Sequence, residues 1–138
     1  MLRIIAGQAR GRRLRTPKGR TTRPTGDRVR EALFNILGQD VIDSVFLDLF
    51  AGSGAVGLEA LSRGARKVVF VENNRRALDC LLLNLSETGF KGKGQIIAVD
   101  VRRALINLNR QGLKFNIIYI DPPYGHDWGG EILSAVVS

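Results

Sequence analysis

The sequence predicts an α/β fold, a doubly wound and mostly parallel sheet preceded by a small basic β-hairpin. Three observations carry that prediction. From residue 45 to residue 121, short β-prone runs alternate with helical patterns, as in chains of βα units. Four of those runs close on an acid, at Asp48, Glu72, Asp100 and Asp121. The first run turns through Gly52-Ser53-Gly54 directly into a helical pattern. Parallel strands joined by right-handed crossovers place all four acids along one edge of the sheet. That carboxyl edge is where open α/β sheets bind ligands.

Composition sets the class. The chain has 138 residues, 44% hydrophobic and 25% charged, the balance of an ordinary globular domain with one core. No apolar run reaches the length of a membrane span. The single cysteine, Cys80, excludes an internal disulfide and a multi-cysteine zinc site and fits a reducing cytosol. Charge is distributed unevenly. Residues 1–30 hold nine arginines and one lysine against Asp27 alone, whereas the remainder holds eleven basic and twelve acidic groups. The net charge of +8 therefore belongs to the amino-terminal segment, which points to a polyanionic partner.

Taken in order, residues 1–24 read as a basic arm. Met1 to Ala6 has strand character, and a second short run surrounds Leu14. Gly7, Gly11, Pro17 and Gly19 break any helix, so the segment is not an amphipathic targeting helix. Without an aromatic before residue 34 it cannot stack bases. It can grip phosphates through Arg10, Arg12, Arg13, Lys18 and Arg20, contacts that position a nucleic acid without reading it.

Residues 25–37 read as an amphipathic helix. Val29, Ala32, Leu33, Ile36 and Leu37 form the inward face, Thr25 or Asp27 the N-cap, and Gly38 the stop. Arg28 and Arg30 are then expected to project from the opposite face and extend the basic surface. Val45 to Leu49 follows as a buried strand, with Ala55 to Arg63 as its helix and Gly64 at the end. Gly52-Ser53-Gly54-Ala55-Val56-Gly57 also fits the dinucleotide pattern G-x-G-x-x-G. Asp48, four residues before Gly52, decides between the two ligands. An anion there opposes a pyrophosphate and favours a sulfonium and an ammonium.

Lys67 to Glu72 is the second strand, with Glu72 placed to accept from ribose hydroxyls. The helix after it buries Ala77, Leu78, Leu81, Leu82 and Leu85, with Cys80 as a packing residue. Gln95 to Asp100 is the third strand, and Asp100 can cap the helix that runs through Val101, Ala104, Leu105 and Leu108. Arg102 and Arg103 are expected to face solvent. Asn116 to Asp121 is the last strand and ends in Asp121-Pro122-Pro123-Tyr124. Two prolines cannot continue a ladder, so this is a strand end with an acceptor carboxylate, a loop without N–H donors, and an aromatic face. His126 and Asp127 read as polar loop residues. Trp128 is open between walling a pocket and simple packing.

Asp121-Pro122-Pro123-Tyr124 ending a hydrophobic strand resembles motif IV of the S-adenosylmethionine-dependent methyltransferases that modify exocyclic amines of nucleobases. Asp48 to Gly54 resembles their motif I. With Thr22 to Leu37, the chain is similar over nearly its whole length to the bacterial 16S ribosomal RNA guanine-N2 methyltransferase D family. The resemblance implies a Rossmann-like methyltransferase fold, S-adenosylmethionine as cofactor with S-adenosylhomocysteine as product, no metal, and methylation of a guanine N2 in small-subunit ribosomal RNA. It implies a cofactor site of Asp48, Phe50, Ala51, Gly52, Ser53, Gly54, Glu72, Asn73, Asp100 and Val101, in which Asp100 accepts from the adenine amino group. It implies catalysis by Asp121, Pro122 and Tyr124, and RNA contact by the arm together with Arg23, which lies near the cofactor's methionine end, and Arg28. Ribosomal RNA or the small ribosomal subunit is the expected partner, in the cytoplasm; the residues leave the oligomeric state open, and the resemblance favours a monomer for an intact family member. A DNA adenine-N6 or cytosine-N4 methyltransferase shares motif IV, and a non-catalytic RNA-binding protein with a vestigial methyltransferase fold is the alternative of another class. The family's domain continues with further strands, so the catalytic domain, 25–138, is expected to lack its last strands.

Overall fold

The computed structural model describes residues 2–17 and 26–122. Strands β1 (Leu2–Arg3) and β2 (Arg13–Leu14) form an antiparallel pair in which Leu2 faces Leu14. Helix α1 (Asp27–Leu37) and a 3-10 turn (Gly38–Val41) lead to β3 (Val45–Leu49). Then come α2 (Ala55–Ser62), β4 (Lys67–Val71), α3 (Arg75–Thr88), a short 3-10 turn (Lys91–Lys93), β5 (Gly94–Ile97), α4 (Val101–Arg110) and β6 (Ile117–Ile120). The four longer strands form one parallel sheet in the order β5-β4-β3-β6. The expected doubly wound arrangement is therefore present. Chain direction across the sheet reverses beside β3, which puts the topological switch point between β3 and β6.

Both faces of the sheet are covered over β3 and β4, which explains why these strands read as nearly continuous apolar runs, whereas β6, expected to be buried, leaves Ile118 and Ile120 exposed on one face. Phe46, Val68 and Phe70 pack into one cluster with α1, α2, α3 and the hairpin. Leu47, Leu49, Val69 and Val71 pack into a second cluster with Val101, Ala104, Leu105 and Leu108 of α4. Every residue of α2 is buried, and Gly57 permits its close approach to β4. A Cβ there would stand 2.3 Å from the Phe70 ring.

The hairpin docks on α2. Leu2, Ile4, Ala9 and Leu14 are buried in the first cluster, while Arg3, Arg10, Arg12 and Arg13 are exposed. Alternation of apolar and basic residues thus gives the ribbon an inward apolar face and an outward cationic one. Its loop grips the carboxyl end of α2. The Gln8 N–H donates to the Ser62 carbonyl, the Ala9 N–H to Ser62 Oγ, and Ser62 Oγ–H to the Ala6 carbonyl.

Helix α1 corrects three expectations. Its buried residues are Arg30 and Phe34, flanked by partly buried Leu33 and Leu37, whereas Val29 and Ile36 are 61% and 83% exposed. Arg30, expected on the outer face, has no exposed surface. Its guanidinium donates to the Arg3 carbonyl and to Asp27 Oδ1 (3.0 Å), and its Nε lies 3.5 Å from Glu59 Oε1. These partners turn the 30/34 stripe inward, where Phe34 stacks on Phe46 at 6.4 Å. A pattern that counts every arginine as outward cannot register a buried ion pair. The N-cap is Gly26, without a side-chain bond, in place of Thr25 or Asp27. On α3, Leu82 is 55% exposed and its place on the inner face is taken by Asn84.

Candidate functional site

The strand register assembles the carboxyl edge. Leu49 pairs with Val71 on one side and Ile120 on the other, so one residue further Glu72 and Asp121 flank Phe50. Asp48 lies level with Phe70 and Tyr119, behind that line. Phe50 adopts the left-handed region (φ 59°), a conformation that costs about 1–3 kcal/mol for a side chain with a Cβ. The loop beyond it is fixed by two backbone bonds, the Ala51 N–H to the Val71 carbonyl and the Gly54 N–H to the Ala51 carbonyl, both 2.9 Å. Its two glycines serve different ends. Gly54 (φ +89°) is packed so tightly that a Cβ would stand 2.3 Å from Leu81 Cδ1. Gly52 (φ +61°) has nothing within 4 Å of where a Cβ would be, which leaves the loop's outer side open to a ligand.

Asp48 is 1% exposed, and its Oδ2 accepts from the Gly57 N–H at 3.0 Å. Gly54, the N-cap of α2, has no side chain, so Asp48 reaches from the neighbouring strand to satisfy an amide of the helix's first turn. Burial pushes its carboxyl up to about 7. The Gly57 N–H opposes that rise, and the charges of Glu72 and Asp121 add to it. Two of the other strand-end acids therefore act on Asp48.

The upward shift has a consequence for stability. Between about pH 4 and about 7 the folded chain holds a proton on Asp48 that the unfolded chain has released. Stability from this group is thus fully present below the unfolded pKa and is lost as pH rises toward 7. Asp48→Asn keeps an acceptor for the Gly57 N–H and removes the charge. It is expected to stabilise the protein above pH 7 by on the order of 2–4 kcal/mol and to flatten the decline below it. Urea midpoints measured across pH check this, and matching slopes for the two proteins would refute it.

Glu72 is committed to the backbone. Its Oε1 accepts from the Gly52 N–H at 2.7 Å, and its Oε2 accepts from the Asn73 and Asn74 N–H groups at 3.1 and 2.9 Å. One carboxylate thus ties the glycine loop to the turn that opens α3. Three of its roughly four acceptor positions are filled, which leaves about one for a ligand hydroxyl. Asp100 is the N-cap of α4, accepting from the Arg103 N–H at 3.1 Å, and Val101 is the first, buried residue of that helix. Arg102 and Arg103 are exposed. Asn73 is exposed, while Ser53 is buried with its carbonyl bonded to Asn84 Nδ2 at 2.9 Å. Asp121 and Pro122 are exposed at the end of β6.

The structure brings together the glycine loop, Asp48, Glu72 and Asp121. Arg10, Arg12 and Arg13 lie exposed on the hairpin and Arg28 on α1. Lys18, Arg20, Arg23, Tyr124, His126, Asp127 and Trp128 lie outside the described residues. Asn84 and Glu59 were not singled out in the sequence, although the signal was present. Each is a polar residue at an inward position of an apolar helix. Among the described residues no helix is long and apolar enough to cross a membrane, and no group of three His, Cys, Asp or Glu side chains could hold a metal ion.

A model of the family described as "Conserved hypothetical protein 95" matches residues 2–138. The chain belongs to this family. Ribosomal RNA small subunit methyltransferase D of Escherichia coli (strain K12) is 44% identical over 123 residues, which are 89% of this chain and 60% of that protein. This family member thus spans about 60% of that relative's length. Hypothetical protein TTHA0928 of Thermus thermophilus has a solved structure that matches with a TM-score of 0.87 at 38% identity, over 98% of this chain and 78% of that one. SMU.776, solved in complex with SAH, matches with a TM-score of 0.60 at 27% identity, over 70% of this chain and 25% of that one. The conserved hypothetical protein 95 chain therefore has the Rossmann-like methyltransferase fold that the resemblance implied.

Proposed function

We propose that this chain carries an S-adenosylmethionine-dependent methyltransferase activity toward the exocyclic N2 of a guanine in small-subunit ribosomal RNA. One observation supports the reading above the others. Asp121 stands exposed at the end of β6, across the switch point from the glycine loop and within electrostatic reach of Asp48. The names of the relatives support the substrate class, and the complex of SMU.776 with SAH supports the cofactor.

The edge fits that cofactor. The open side of Gly52 admits a ligand against the backbone, and the acid-rich edge favours a cationic sulfonium and an ammonium over a pyrophosphate. Phe50, Ala51, Gly52, Ser53 and Gly54 would form the floor of the pocket. Glu72 and Asn73 would meet the ribose, and Asp100 and Val101 the adenine. Asp48, enclosed beneath the loop, would act through its charge and by holding the amino end of α2 rather than by contact. When bound, S-adenosylmethionine supplies an electrophilic methyl group on its sulfonium.

The rest belongs to this chain's residues. An exocyclic amine is a poor nucleophile because its lone pair is delocalised into the ring, so attack requires the nitrogen to pyramidalise and gather positive charge. The Asp121 carboxylate and the Pro122 carbonyl accept its two hydrogens and stabilise that charge. Pro122 offers no N–H to compete for them. Tyr124 would stack on the base once it has left its helix or loop. Arg10, Arg12, Arg13 and Arg28, with Lys18, Arg20 and Arg23, would hold phosphates. Residues 1–24 are then the RNA-gripping segment and 25–138 the catalytic one, working in the cytoplasm on ribosomal RNA or the small subunit.

Transfer of a tritiated methyl group to naked 16S RNA, assembled small subunits and DNA, followed by nucleoside analysis, tests the reading. N2-methylguanosine from the ribosomal substrates alone is expected. Methylated adenine or cytosine in DNA, with none in RNA, would overturn it.

A further inference from the structure

Asn84 is 1% exposed on α3, between the buried Leu81 and Leu85. Burying an amide among leucines costs free energy unless its polar atoms are satisfied. Here three bonds satisfy it. Asn84 Oδ1 accepts from the Arg15 N–H at 2.8 Å, and Nδ2 donates to the Arg15 carbonyl at 3.0 Å. The same Nδ2 donates to the Ser53 carbonyl at 2.9 Å. One side chain therefore grips both backbone groups of Arg15, just after the hairpin, and a carbonyl of the glycine loop. An apolar residue of similar size would fill this space equally well. An amide in its place specifies orientation, and the two things it orients are the proposed RNA-binding segment and the proposed cofactor loop.

Arg15 is anchored a second time on the same helix, its Nε 2.6 Å from Glu87 Oε1, one turn beyond Asn84. That ion pair is exposed at both ends and of the kind that contributes little to stability. It raises the Arg15 guanidinium's affinity for its proton and lowers that of Glu87. The chain leaving the hairpin is thus held to α3 by a buried bridge and a surface one, and only the buried one also touches the glycine loop.

We propose that Asn84 is a positioning residue that couples RNA binding to cofactor binding. The inference rests on the functional reading above. Phosphates drawn onto the basic segment favour the arrangement seen here, with Arg15 seated on Asn84 and Glu87. Through Asn84 that order is passed to the Ser53 carbonyl, so the glycine loop is already fixed when the cofactor arrives. Such linkage is reciprocal, and coupling between two sites commonly changes affinity by about 5–150-fold.

Calorimetric titration of S-adenosylhomocysteine, with and without saturating naked 16S RNA, reads the coupling as a ratio of two dissociation constants within one protein. Uniform damage to either site cancels in that ratio. The unaltered chain is expected to bind S-adenosylhomocysteine at least about fivefold more tightly with RNA present. Asn84→Ala, which removes all three bonds, is expected to bring the ratio to about one. Asn84→Asp keeps an acceptor for the Arg15 N–H but loses both donated bonds, and the same ratio is expected. Glu87→Gln breaks only the surface pair and should leave the coupling intact. No binding of either ligand to the unaltered chain would overturn the functional reading and the coupling with it. Binding of both ligands without coupling, or coupling that survives in either Asn84 variant, would overturn the coupling alone.

Discussion

Asp121→Ala is expected to slow methyl transfer to ribosomal RNA by roughly 10²–10³-fold, the scale seen when one preorganised group facing a developing charge is removed. Binding of S-adenosylhomocysteine should stay within about tenfold, or about 1.4 kcal/mol. The separation follows from position. Asp121 lies exposed at the end of β6, on the far side of the switch point from the glycine loop, whereas Glu72 and Asn84 anchor the loop and Asp48 holds the helix that follows it. The carboxylate is not a necessary strong base, because the amine's proton becomes acidic only as the new bond forms. Its work is to face a nitrogen that is becoming cationic. Asp121→Asn therefore does not restore activity in full, since half of its amide presents hydrogens to hydrogens. Single-turnover rates with calorimetry separate the two effects, and unchanged turnover in Asp121→Ala would remove this residue from the mechanism. A further change should accompany the loss. Asp121 raises the pKa of Asp48 through like charge, so its removal shifts the pH-dependent decline in stability to lower pH.

Much of this edge was legible in the sequence because strand geometry leaves few choices. A β-prone run that closes on an acid before a turn places that acid at one end of a parallel strand, and four such runs in succession place four acids on one edge. Roles were harder to read than places. Asp48 reads as a group that faces a ligand, yet it lies beneath the loop and caps α2, because Gly54 has no side chain with which to do so. Glu72 reads as a free acceptor, yet three backbone N–H groups already occupy it. The bonds from Asp48 to Gly57 and from Glu72 to Gly52 join residues 9 and 20 apart, and no local period records them. The face of α1 was misjudged for a related reason. Val29 and Ile36 fit a helical stripe as well as Phe34 does, and it is the Arg3 carbonyl on the hairpin and Glu59 on a different helix that receive Arg30 when it turns inward.

Glu59→Gln is expected to destabilise the protein by about 3–5 kcal/mol, the scale for removing the buried partner of a buried charge, since Arg30 then keeps only the exposed Asp27 carboxylate as an acidic partner among the described contacts. Glu59 is fully buried on α2, accepts three hydrogen bonds and faces one further cation. Its Oε1 accepts from the Ile5 N–H at 2.8 Å and faces Arg30 Nε at 3.5 Å. Its Oε2 accepts from the Ala6 N–H at 3.1 Å and from Arg63 Nε at 2.8 Å. Glutamine is nearly the same size, but it replaces one acceptor with a donor in a pocket lined by donors, and it removes the counter-charge of Arg30. Arg30→Met should cost less, because Glu59 then retains two amides and Arg63. The double variant Arg30→Met with Glu59→Leu relieves the stranded charge but strands the Ile5 and Ala6 N–H groups, at about 1–3 kcal/mol each. It should therefore recover only part of the loss, unlike an isolated buried ion pair, whose apolar replacement is often neutral. Urea midpoints for the unaltered chain, Arg30→Met, Glu59→Leu and the double variant give the cycle, with Glu59→Gln measured beside them. Hydrogen exchange at Ile5, Ala6, Gln8 and Ala9 locates it, since the hairpin hangs on Glu59 and Ser62 and should open before the sheet does. Uniform acceleration of exchange across the sheet and the hairpin would show instead that the hairpin and the core unfold as one unit. In that case the basic ribbon belongs to the same cooperative unit as the sheet rather than being a part laid upon it.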